Sequence, residues 1–169
     1  MVVVRPTQKV LGKIGQPPST AAHASTTALG DWYVNLLFTR QARLVHAVSE
    51  RSLLSVVLPA RDMRSLVSRL RPAVGEVLAA LGAPPEGVAA ELQEMEEVAL
   101  ARTASRSVLG SMNDLAYQAR VLLAMRPGIS PLELALDLGR VPCSPLGFHY
   151  PCEVAVGLVS RSDTSRHAH

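Results

Sequence analysis

Chemistry needs polar side chains brought together, and three parts of this chain offer them. The first is RSVLGSMND, residues 106–114, where an apolar run meets Gly110 and Ser111. A helix that starts there has free backbone N–H groups, so Gly110 and Ser111, with Arg106 close in sequence, form a candidate anion site. A structural reading competes and is favoured: Ser111 and Asp114 make Ser-x-x-Asp, a capping box in which Asp114 reaches back to the cap. The stretch has neither the Gly-x-Ser-x-Gly elbow of hydrolases nor the Gly-x-x-x-x-Gly-Lys of a phosphate loop.

The second part is RVPCSPLGFHYPC, residues 140–152, with Cys143, His149 and Cys152. Cys-x5-His-x2-Cys fits no standard zinc spacing and offers too few ligands for a closed site, so neither metal nor cofactor is expected. Nothing marks either thiol as activated, and reduced, mostly buried cysteines are the expectation. The third part is dispersed: Asp31, Asn35 and His46 lie in apolar stretches, and Asn113 and Asp114 follow Ser111. If the fold brought three or more of these five within hydrogen-bond reach of one point beside Arg106, a small hydrolase or nuclease-like enzyme acting on phosphodiesters would be in view.

Arginines supply the other functional signal. Arg61, Arg64, Arg69 and Arg71 fall together at the start of a helical pattern and could form a stripe for phosphates. Glu86, Glu91, Glu94, Glu96 and Glu97 follow in the next segment, and pairing of the two charge sets in a helical hairpin is the favoured reading. The net charge of +3 permits an anionic partner without requiring one. Aromatic content of 4% argues against stacking platforms for single strands.

The elements that must position these residues follow from periodicity. MVVVRPT reads as a strand stopped by Pro6, and QKVLGKIG as a short helix ended by Gly15. Residues 16–30, QPPSTAAHASTTALG, read as an exposed loop. DWYVNLLFT, ARLVHAVSE and SLLSVVLPA are three strands with hairpin-length links, an antiparallel meander. The period then changes to 3.6 over residues 62–82, with Asp62 as cap, Gly82 as terminator and Pro72 as a kink or break.

VALART and SRSVLGS read as extended, with a helix beginning at Ser111. A second capping box, Ser130 to Glu133, starts PLELALDLG, and EVAVGLVSR is a strand or short helix. The expected fold is α+β: an antiparallel β-meander sheet of about four to six strands, packed on one face by an α-helical layer. It forms a single domain over residues 1–160, with a disordered polar tail at 161–169.

A chain of 169 residues with 48% hydrophobic and 18% charged side chains supports one such core. No apolar run approaches the roughly 20 residues of a membrane-spanning helix, and no secretion-signal layout opens the chain, so a cytoplasmic protein is expected. LGDWYVNLLF, SERSLLSVVLP, RSVLGSMNDL and PCSPL together resemble a family of small bacterial proteins known only as a domain of unknown function. The resemblance runs from about Leu29 onward, with RSVLGSMND its most specific piece, and implies a free-standing bacterial domain with no activity to carry over. The reading that results is a binding module for nucleic acid or a protein partner, acting through Arg61, Arg64, Arg69 and Arg71, with homo-oligomerisation open.

Overall fold

The structure is a computed structural model that describes the backbone of residues 1–166 and the side chains of residues 1–162. Strand β1 (Val2–Pro6) leads into helix α1 (Gln8–Ile14), which buries Val10, Leu11 and Ile14. Gly15, in the left-handed region at φ 76°, ends α1 by donating its N–H to the Leu11 carbonyl. Strands β2 (Trp32–Phe38), β3 (Arg43–Ser49) and β4 (Ser55–Pro59) form the antiparallel meander expected from their short links.

The sheet as a whole is mixed, which corrects the purely antiparallel expectation. Its order is β4-β3-β2-β1-β5, and β1 pairs parallel with both β2 and the short β5 (Val98–Leu100). The physical reason is visible in β1, where Val2, Val3 and Val4 are all buried. Such a strand is covered on both faces, as parallel strands joined by helical crossovers are.

The helical layer also lies on both faces rather than one. Val34 and Tyr33 alternate on β2 and therefore point to opposite sides of the sheet. Leu66 and Leu70 of α2 (Leu66–Ala80) meet Val34, Val45 and Leu58 on one side. On the other side the Tyr33 hydroxyl accepts the N–H of Ser105 at 3.0 Å, at the start of α4 (Arg106–Met125), which packs across β2 and β3. Because Trp32, Tyr33 and Val34 are buried in succession, neither face is left for solvent.

The remaining helices close the edges. A 3-10 turn (Met63–Ser65) precedes α2, which continues through Pro72 without a break. Asp62 stands at φ 42° and makes no side-chain cap, so its expected role is not realised. Helix α3 (Pro85–Glu94) packs against α2, with Leu92 against Gly75, and against α6 (Pro151–Arg166) at Gly87, where an added Cβ would sit 2.7 Å from the Val159 carbonyl oxygen. Helix α5 (Pro131–Leu138), started by the expected Ser130–Glu133 capping box, covers the β4 edge.

Residues 16–30 are irregular but tied down. Ser19 donates its N–H to the Leu100 carbonyl at 2.7 Å, Ser25 accepts the Val3 N–H, and Glu91 of α3 accepts the N–H groups of Ala28 (2.6 Å) and Leu29 (3.1 Å). The final segment, read as a strand or short helix, is the helix α6; of the expected polar tail, residues 167–169 lie outside the described residues. No described helix is long and apolar enough to cross a membrane.

Candidate functional site

The five candidate catalytic residues do not converge. Asp31, at the entrance to β2, is buried: its carboxylate receives Arg5 Nε at 2.5 Å and Ser25 Oγ at 2.6 Å. Asn35 and His46 lie opposite each other on β2 and β3, yet each has a separate partner. Thr7 donates to Asn35 Oδ1 at 3.0 Å, and His46 Nε2 and Ser55 Oγ are 2.8 Å apart. Burial, with the Arg120 charge as a lesser cause, holds the His46 pKa down at about 4, so the ring is neutral at pH 7 and inaccessible. Asn113 and Asp114 are exposed on α4. None of the five hydrogen-bonds to another.

The candidate anion set of Arg106, Gly110 and Ser111 is redistributed by an earlier helix start. Ser105, whose Oγ accepts the Val108 N–H at 3.2 Å, caps α4; Arg106 is its first residue. Gly110 and Ser111 therefore lie inside the helix with their N–H groups used in its ladder, and the Ser111–Asp114 capping box does not form. The open space at the true helix start is a cavity of about 690 Å³ between residues 17–23 and 101–104. Arg5 stands at its wall, held by Asp31 and by the Arg102 carbonyl, which accepts from Nη1.

Ser111 and Asp114 instead contribute to a cleft of about 250 Å³ between α4 and residues 141–148. Gln118 joins them from the same helix side; Cys143, Ser144 and Phe148 form the facing wall. The Cys143 thiol is pushed up by burial and secondarily by the Asp114 carboxylate, and Cys152 is also raised, first by burial. Both thiols are free and protonated at neutral pH, which leaves them poor nucleophiles. Among the described residues no three of His, Cys, Asp and Glu gather as a metal would require. Sequence reasoning missed this cleft because it treated residues 140–152 as a ligand spacing to be tested, when the proline-dense PCSP was shaping a wall.

The arginine group divides in two. Arg69 is a brace: its guanidinium donates to the carbonyls of Pro59 and Arg61 and to Ser65 Oγ. Arg71 donates to the Leu92 carbonyl at 2.7 Å and pairs with Glu96, just past the end of α3, at 3.2 Å, the one ion pair between the two charge sets among the described residues. Arg61 and Arg64 are exposed, and their side chains have no hydrogen-bond or ion-pair partner among the described residues. Helix α1 packs against the 3-10 turn that carries Arg64, and its own exposed side bears Lys9 and Lys13, the only lysines in the chain. Four exposed cations thus sit on two segments that pack together, with exposed Asp62 between the two arginines in sequence. That the lysine segment meets the arginine segment was not legible, because only the packing of α1 on the turn joins the two.

No curated protein and no solved structure matches the chain. The sequence profile of a domain of unknown function, DUF6933, matches residues 3–154, from the second residue of β1 into the first turn of α6. The match takes in all five strands but for Val2 and every element that lines the two cavities, and the chain belongs to the DUF6933 family.

Proposed function

We propose that this protein is a non-catalytic binding module that engages the phosphate backbone of a nucleic acid through Lys9, Lys13, Arg61 and Arg64. The observation that supports the reading is the packing of α1 against the 3-10 turn, which joins the segment bearing exposed Lys9 and Lys13 to the one bearing exposed Arg61 and Arg64. Cations left without acidic partners on a surface attract polyanions and release their counterions on binding. Arg69 and Arg71 are left out of the contact set in this reading, since carbonyls engage the Arg69 guanidinium and the Leu92 carbonyl and Glu96 engage that of Arg71. The enzymatic alternative has less support: Asp31, Asn35 and His46 are engaged in separate interactions, and Asn113 and Asp114 stand apart on α4.

The test is fluorescence anisotropy of short labelled RNA and DNA at about 50 and 200 mM salt. Binding that weakens steeply with salt and is lost in Arg61→Glu/Arg64→Glu supports the reading. Absence of binding at low salt overturns it in favour of a protein partner.

A further inference from the structure

We propose that the cleft between α4 and residues 141–148 binds an organic cation, a primary ammonium or guanidinium group carried on a short aliphatic stem. This site is independent of the basic surface and lies elsewhere on the molecule. Its volume, about 250 Å³, is below the roughly 300–1,000 Å³ of sites that take drug-sized ligands, and suits a group the size of one side chain.

Charge decides the ligand class. Asp114 is the one charged side chain lining the cleft, and it has no ion-pair partner among the described residues. Ser111, Gln118 and Ser144 add oxygens that accept hydrogen bonds, while Cys143 contributes a neutral thiol. Among the described residues no lysine, arginine or histidine lines the cleft, so an anion would find no cationic partner there and would be repelled by Asp114. Leu115 and Val141 give the stem an apolar wall.

Phe148 completes the arrangement. The ring is 70% exposed although it borders the cleft, and it follows Gly147 into the left-handed region, both residues at φ 62°. A bulky residue rarely adopts that conformation, and burial of the ring does not compensate for it here. The turn is fixed by backbone hydrogen bonds from Phe148 N to the Cys143 carbonyl (3.0 Å) and from Gly147 N to the Ser144 carbonyl (3.0 Å), which set the point on the rim from which the aromatic side chain projects. An aromatic face on one wall and a carboxylate on the other attract the same ligand, a cation. The chain makes such a contact internally, where the Arg43 guanidinium lies 4.4 Å from the centre of the Phe38 ring.

The experiment is a titration of ¹⁵N-labelled protein with agmatine and with N-acetyl-lysine methylamide, followed by amide chemical shifts, with succinate as the anionic control. Saturating shifts at Ser111, Asp114, Ser144 and Phe148 are expected for both cations and not for succinate. Asp114→Asn should weaken binding about tenfold or more, and Phe148→Leu should weaken it while Phe148→Trp retains it. Asp114 and Phe148 are exposed, so these variants leave the core intact. Absence of shifts for both cations, equal response to succinate, or unchanged affinity in Asp114→Asn would each overturn the proposal.

Discussion

At the scale of single residues, His46 is the group whose chemistry most constrains the molecule. It is fully buried on the face beneath α4, and its Nδ1 has no partner, so protonating it in the folded state puts an uncompensated charge in the core. Its pKa falls from 6.5 to about 4 on folding. A group with a depressed basic pKa takes up its proton more readily in the unfolded chain, so stability declines as pH drops from 6.5 toward 4 and levels off below that. The full loss from this one residue is about 3 kcal/mol. Urea melts between pH 7 and 4 should show that loss in the wild type and a markedly flatter profile in His46→Gln; identical profiles would show that His46 does not titrate as its burial implies. The same burial explains why a histidine in the middle of an apolar strand was an attractive catalytic candidate in sequence and is a packed, neutral side chain in the fold.

At the scale of elements, two contacts carry most of what positions the functional surfaces. The first is the start of α4. With Ser105 as the cap, Ser105→Ala should cost about 1 kcal/mol, whereas Ser111→Ala, inside the helix, should be neutral or slightly stabilising. Thermal melts of the pair decide between the two helix starts, because a cap at Ser111 would reverse the order. The sequence suggested the later start because Gly110 reads as a breaker and SRSVLG as a strand, yet Val108, Ser111, Met112, Leu115 and Ala119 are spaced as one buried helical stripe that already includes Val108. The second contact is Glu91, whose carboxylate in α3 holds the N–H groups of Ala28 and Leu29 and so anchors residues 16–30. Burial raises its pKa against the opposing effect of those two donors. Glu91→Ala leaves both donors without an acceptor and should destabilise by about 3 kcal/mol, measurable by urea denaturation, with Glu91→Gln milder because one acceptor remains. No local pattern could have shown this tie, since it joins residues more than 60 positions apart.

At the scale of the whole molecule, the sheet is two-sided, and that decides which parts of the chain meet. The meander, the amphipathic α2 and the capping box of α5 were legible from period and punctuation alone. The parallel pairing of β1 was not, because a crossover partner is chosen by tertiary packing; its uninterrupted Val2, Val3 and Val4 were the available signal for a strand covered on both faces. That crossover places α1 beside the 3-10 turn and so brings together the two segments, some fifty positions apart, on which the basic surface is proposed. Arg61 and Arg64 were readable as candidates from sequence; Lys9 and Lys13 needed the fold.

The measurement that tests the account most directly is the salt dependence of duplex DNA affinity in the wild type, in Arg61→Gln/Arg64→Gln and in Lys9→Gln/Lys13→Gln. Four phosphate contacts predict a slope of log K against log salt of about −3.6, falling to roughly half in each double variant. A slope that is unchanged in the lysine variant would contradict the account, because the basic surface would then not extend onto α1.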